Sequence, residues 1–229
     1  MCGRYTLTAE VAQLQARFQF DTPVSDYAPS YNIAPGQDVL AVIRDAEVNR
    51  AGLLRWGLVP SWAKDPKVGY RMINARAESA AEKPSFCRAL RQRRCLILAD
   101  GYYEWQRREG QKIPMYIRLQ SREPFAFAGL WERWHGADDT ILVTCTIVTT
   151  AAHAWLQPVH HRMPVMLDPH QEALWLDRSV TEPDALQPLL EPAYADLLEA
   201  YEVSSQVNSA RYNAPACILP VQTNPSQNI

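Results

Sequence analysis

Residues 94–150, RCLILADGYYEWQRREGQKIPMYIRLQSREPFAFAGLWERWHGADDTILVTCTIVTT, decide the fold of this chain. Within them, apolar runs rich in aromatic and β-branched residues (CLILAD, YYEW, PMYIRL, PFAFAGLWERW, TILVTCTIVTT) recur at short spacing and read as strands. Working outward, VLAVIR (39–44), LLRWGLV (53–59) and RMPVML (162–167) carry the same signal, and a last strand is expected near EVSSQVN (202–208). Helices are few. TAEVAQLQARF (8–18) has Thr8 as expected N-cap and Val11, Leu14 and Phe18 on one face. Ser85 is expected to cap the short basic helix FCRALRQRR, and Asp168-Pro169-His170-Gln171 carries a capping box that opens HQEALWLD. A proline-broken helical stretch runs over 182–200, and DTPVSDYAPSYNIAPGQ (21–37) reads as an ordered loop. Many strands with few crossovers predict an α+β fold, a curved, mostly antiparallel, barrel-like sheet with flanking helices. A single domain over 1–229 is expected, with about the last eight residues as a tail.

Composition narrows the function. An apolar content of 47%, with ten tyrosines and seven tryptophans, is that of a folded soluble protein. No apolar run reaches the roughly 18 residues that cross a bilayer, and no signal-peptide pattern opens the chain, so a cytoplasmic location is expected, nuclear if the source has a nucleus. The five cysteines are odd in number and without a C-x-x-C pair, which argues against a disulfide framework and a cysteine-built zinc site. Cys95, Cys145 and Cys217 lie in apolar, strand-like surroundings and read as buried, inert thiols. The net charge of −2 hides an asymmetry: residues 44–118 carry a net of +8 and the remainder −10. Either the basic part meets a polyanion, or the charges interleave on folding.

Cys2 differs from the other cysteines by its place directly behind Met1. A small second residue permits removal of the initiator methionine, and Cys2 would then carry an α-amine and a thiol two carbons apart. An α-amine with a reference pKa near 7.7 is far more nucleophilic at neutral pH than a lysine, and a 1,2-aminothiol closes a five-membered thiazolidine on an aldehyde. Motifs for phosphate loops, dinucleotide folds, serine hydrolases and zincins are absent.

Four further segments set polar residues in apolar surroundings. INARAE holds Asn74 and Arg76, suited to a sugar phosphate, or alternatively a helix start with Asn74 as N-cap and Arg76 on a solvated face. ADGYYEW holds Glu104 between Tyr103 and Trp105; if buried, its pKa rises towards proton-transfer range, and if strand alternation turns it outward it is merely solvated. VHHRMPVML holds His160 and His161, whose side chains diverge if the segment is extended, so a shared metal is not expected. RWGLVPSWAKD offers Trp56 and Trp62 around Pro60, either packing in the core or stacking on unpaired bases, with Pro60-Ser61-Trp62 read as a loop.

The segments MCGR, YNIAPGQ, RWGLVPSWAKD, INARAE, RRCLILADGYYEW, HHRMPVML, VSSQVN and NAPACILPV resemble, in this order, the SOS response-associated peptidase family, over Cys2 to about Val221. The resemblance implies that family's fold and a protein that shields abasic sites in single-stranded DNA by a covalent crosslink through the N-terminal cysteine. It implies Cys2 as nucleophile, Asn74 as the amide near the sugar, Glu104 as acid and base, and His160 as an aid to imine chemistry. Arg4 and Arg76 are then phosphate clamps, Pro60, Ser61 and Trp62 a wedge, and Trp56 a further stacking surface. No metal or organic cofactor is required, and a monomer is expected, with replication-fork proteins as conceivable partners. The family pattern usually reads His-Asp-Arg where this chain has His160-His161-Arg162, so any role of the usual aspartate is open. Two other readings remain: an N-terminal-nucleophile thiol peptidase, and a non-covalent reader of modified or single-stranded DNA.

Overall fold

The computed structural model describes residues 2–192 and 194–221, the side chain of residue 195 excepted. Met1 and the expected tail lie outside the described residues. Among the described residues thirteen strands form two sheets: β1 (Tyr5–Leu7), β2 (Ser30–Ile33), β3 (Asp38–Asp45), β4 (Val48–Trp56), β5 (Asn74–Arg76), β6 (Arg94–Ala99), β7 (Gly101–Arg108), β8 (Gln111–Leu119), β9 (Phe125–His135), β10 (Ile141–Ala151), β11 (Arg162–Pro164), β12 (Met166–Leu167) and β13 (Leu198–Glu202). In the larger sheet β10, β4, β3, β6 and β9 pair in turn, and β9 pairs back with β10, closing a five-stranded barrel. All of these pairings are antiparallel except β10 with β4. The smaller sheet runs β13-β8-β7-β1-β2. This is the mixed α+β, barrel-cored fold expected from the strand pattern.

Burial follows the sequence closely. Every residue of RCLILA in β6 is buried, as befits a strand covered on both faces. The two sheets pack through aromatic edges: Tyr5 stands edge-on to Trp56 and Phe127, with ring centroids 5.4 and 5.7 Å apart, and Tyr102 meets Phe127 at 6.1 Å. The register of the β7–β8 hairpin, which fixes the face of Glu104, is set by the two-residue turn Glu109-Gly110, both left-handed at φ 50° and 80°. A close backbone approach joins Gly57 to Gly69. A Cβ on Gly69 would stand 2.5 Å from the Gly57 carbonyl oxygen, so the turn over 66–71 docks tightly on the end of β4 and delivers the chain to Asn74.

Several local expectations are corrected. Thr8 does not cap the first helix, α1 (Val11–Phe18); Glu10 precedes it, while the Thr8 hydroxyl donates to Asp100 at 2.6 Å. The segments after it supply α2 (Ala77–Ala80) and α3 (Cys87–Gln92); Phe86, not Ser85, precedes α3. The loop expected over 21–37 contains β2, recruited by pairing with β1. The segment expected to end in a strand near 202–208 becomes β13 followed by a 3-10 turn over Ser205–Asn208. The capping box of α4 (Pro169–Leu176) is present on both sides, with Gln171 N–H on Asp168 Oδ1 at 2.8 Å and Asp168 N–H on Gln171 Oε1 at 3.0 Å. No helix among the described residues is long and apolar enough to cross a membrane.

Candidate active site

Residues 2–4 run alongside β7, where Tyr103 N–H donates to the Arg4 carbonyl at 2.9 Å. This lays Cys2 against the seam between the sheets. It is 0% exposed and packed in the same core as Tyr5, Trp56 and Tyr102. Burial pushes the thiol pKa well up, and the nearby Glu104 carboxylate pushes it further, so the resting sulfur is a neutral thiol.

Asn74 opens β5, which adds in parallel to β10 (Asn74 beside Ile147), and its Nδ2 donates to the Cys2 carbonyl at 2.8 Å. Its Oδ1 is buried with no hydrogen-bond partner among the described residues, an acceptor held ready beside Cys2. The alternative of Asn74 as a helix N-cap is excluded, because Arg76 takes that place before α2.

Glu104 faces inward on the same side of β7 as Tyr102 and is 4% exposed. Its pKa is raised, chiefly by burial, which settles the choice between solvated and buried carboxyl. His160 Nδ1 lies 3.9 Å from Glu104 Oε1 and accepts the Arg162 N–H at 3.0 Å. The same Nδ1 lies 3.1 Å from the Arg162 carbonyl oxygen, so the Arg162 backbone meets this nitrogen with both a donor and an acceptor and orients the ring in either tautomer. Burial lowers the His160 pKa, favouring the neutral ring. The side chain of Arg162 grips Glu78 with two bonds, of 2.5 and 2.9 Å, and so fixes the backbone that orients the imidazole. His160 and His161 do not diverge as expected. The chain bends there, and the two rings stack with centroids 4.3 Å apart; His161 is exposed, with its pKa lowered first by the His160 charge.

Glu104 and His160 open onto a cleft of about 420 Å³ walled by Trp105, Arg107, Lys112 and Asn208. Cys2 does not itself line it. Asn208 was not anticipated, although it lies in the VSSQVN segment; it accepts the Trp105 indole N–H at 2.7 Å and sets that ring. Nor was Asn32, whose buried amide donates to the carbonyls of Ser209 and Tyr212 at 3.0 and 2.6 Å and straps the C-terminal segment against β2. Among the described residues no group of three or more His, Cys, Asp or Glu is placed to hold a metal ion.

The expected DNA contacts divide. Trp62 is 62% exposed, and Ser61 beside it is exposed, but Pro60 is buried beneath them. Trp56 is corrected to a core residue: it is 1% exposed, with its indole N–H on the Ile73 carbonyl at 2.8 Å, and offers no face to a base. Arg76 is exposed. Arg4 is half-buried, and its Nη1 spends its two hydrogens on Asn32 Oδ1 (2.7 Å) and the Val207 carbonyl (2.8 Å), which leaves any phosphate contact to the rest of the guanidinium.

A closed barrel with a five-stranded sheet packed on it, and a near-terminal cysteine held between the two, defines the class of protein. A family model described as SOS response associated peptidase (SRAP) matches residues 1–210, and the chain belongs to that family. It is 51% identical over 221 residues to the Bacillus subtilis "Abasic site processing protein YoqW", covering 95% of this chain and 99% of that one. It is 33% identical to the Pongo abelii "Abasic site processing protein HMCES", covering 96% of this chain and 76% of that protein. Among solved structures, a Bacteroides thetaiotaomicron protein shares the fold at TM-score 0.86 and 24% identity, over 96% of this chain and all of that one.

Proposed function

We propose that this protein processes abasic sites in single-stranded DNA by forming a covalent thiazolidine through Cys2 once Met1 is removed. Relatives named as abasic site processing proteins at up to 51% identity support the lesion class. The observation that carries the chemistry is the Asn74 amide bonded to the Cys2 backbone, with the raised carboxyl of Glu104 and neutral His160 on the cleft side.

Without Met1 the Cys2 nitrogen is a free α-amine. It attacks C1 of the open-chain deoxyribose, and the carbinolamine loses water, with Glu104 delivering the proton that the departing oxygen needs. Water leaves a cationic imine and an ionised Glu104; the Cys2 sulfur then bonds to the same carbon, the nitrogen becomes neutral, and the thiol proton returns to the Glu104 carboxylate, so that the net change is the loss of one water. Asn74 Oδ1 is placed to accept from the amine or a sugar hydroxyl, and His160 serves proton exchange during imine formation and reversal. Holding both nucleophiles on one residue makes the second attack intramolecular. Ser61 and Trp62 are the stacking edge, Arg76 a phosphate contact, and the protein acts as a monomer.

Intact mass of the protein, before and after incubation with a single-stranded oligonucleotide bearing one abasic site and no reductant, tests the proposal. A species lacking Met1 that gains the oligonucleotide mass less one water, and is absent with Cys2→Ala, is expected. Met1-free protein with no adduct refutes it. The thiol-peptidase reading is less well supported, because a buried sulfur pushed towards its neutral form is a poor starting thiolate.

A further inference from the structure

A second cleft, of about 630 Å³, opens at the other end of the barrel. It lies at the Arg94 end of β6, whereas Glu104 follows the Ala99 end; the strand's six residues set its two ends roughly 17 Å apart. Arg44, Arg93, Arg94 and Arg178 line it together with Trp131 and Thr181. Of the acids nearby, Asp45 is paired with Arg50 at 2.7 Å and Glu132 with Arg93, while the exposed Asp177 accepts from Ser179 through Oδ1 and feels the charges of Arg94 and Arg44. Arg94 is spent on backbone carbonyls. Arg44 differs. Its Nε is buried without a hydrogen-bond partner and its Nη1 makes only a 3.3 Å bond to the Glu47 carbonyl, while Arg178 is exposed on the rim. Trp131 adds a planar wall, under the Arg93 guanidinium at 5.6 Å.

We infer that this cleft is a binding site for a nucleoside phosphate, with Arg44 and Arg178 on the phosphate and Trp131 against the base. The volume suits a mononucleotide, arginine forks match phosphate oxygens, and an aromatic face accepts any base. Free nucleotide and the 5′-phosphate end of a DNA strand share this chemistry. The inference does not depend on the reaction at Cys2.

Isothermal titration of the full chain with ADP, with inorganic phosphate and with a 5′-phosphorylated thymidine trinucleotide tests it. ADP or the trinucleotide is expected to saturate with a dissociation constant below about 1 mM, the tighter of the two identifying the source. Arg44→Gln combined with Arg178→Gln should weaken binding at least about tenfold, and the Lys counterparts should restore part of it, with thermal midpoint and Cys2 crosslinking unchanged. Trp131→Leu should weaken ADP more than phosphate. Absence of saturation with all three ligands, or titrations unaltered by the double Gln variant, overturns the inference; equal losses for ADP and phosphate in Trp131→Leu overturn the stacked base.

Discussion

Asn74→Ala removes one side-chain contact and should be felt at a residue 72 positions away. The Nδ2 bond to the Cys2 carbonyl, at 2.8 Å, ties the segment that bears both nucleophiles to the barrel. Deleting a neutral donor from a buried acceptor costs about 1–3 kcal/mol. If that tether orients Cys2 in the transition state, the cost becomes about 5–150-fold in rate at about 1.4 kcal/mol per decade. The assay is single-turnover crosslinking to an abasic oligonucleotide with protein in excess, on samples whose mass shows Met1 removed. Asn74→Asp, which keeps an acceptor but loses the donor, should be slowed as well. Asn74→Ala crosslinking within twofold of wild type would refute the tether, and a normal rate for Asn74→Asp with a slow Asn74→Ala would move the role from Nδ2 to Oδ1.

Cys2→Ser keeps the amine but lacks a good ring-closing thiol, so durable crosslinks should be lost and strand cleavage by β-elimination gained, read on denaturing gels; durable yield equal to wild type would sink the thiazolidine. Glu104 has a raised folded pKa, so its contribution to stability is whole below the ordinary carboxylate range and is lost as pH rises through the folded value. Glu104→Gln should therefore melt above wild type near pH 8 and lose that advantage towards pH 4 in thermal scans. Arg94, pushed down to about 10 by burial, donates to the carbonyls of Leu90, Arg91, Trp175 and Asp177 and so closes the ends of α3 and α4. Arg94→Met leaves these carbonyls without their donor, at about 1–3 kcal/mol for each that stays buried, and should lower the thermal midpoint by about 10 °C. Trp62→Ala should weaken single-stranded DNA binding by about 1–3 kcal/mol with an unchanged midpoint, measured by fluorescence anisotropy.

The strands were legible because each carries its own signal: RCLILA is apolar throughout, and the Asp168 box satisfies itself within four residues. Errors arose where a partner distant in sequence outbids a local one. Thr8 is taken by Asp100 from across β1, so it cannot cap α1. For Trp56 the sequence leaves core packing and base stacking both open, and the choice falls to the core because its neighbours Tyr5 and Ile73 come from other elements. Nor does the sequence mark the Nη1 bonds that Arg4 makes to Asn32 and to Val207, 203 residues on. For the candidate site, the residue types were readable from chemistry and resemblance, whereas the Asn74 tether and the stacked imidazoles exist only once β5 and the 160–162 bend are in place.

The burial of Cys2 also constrains the order of steps. A thiol held neutral by its surroundings and by Glu104 is a weak first nucleophile, whereas the α-amine that Met1 removal would release, with a reference pKa near 7.7, has an appreciable free-base fraction at neutral pH. In the proposed reaction imine formation therefore comes first, and the cationic imine it creates is the electrophile that a neutral thiol can use. It also places a positive charge near Glu104, which favours ionisation of that carboxyl at the moment a base is wanted to take the thiol proton. The same charge invites loss of the 3′ phosphate, so ring closure must outrun elimination. The sulfur's confinement three bonds from the imine nitrogen supplies that advantage in the proposed reaction. A variant that loosens Cys2 without removing its thiol should then shift products from crosslink towards cleavage, and Asn74→Ala is that variant.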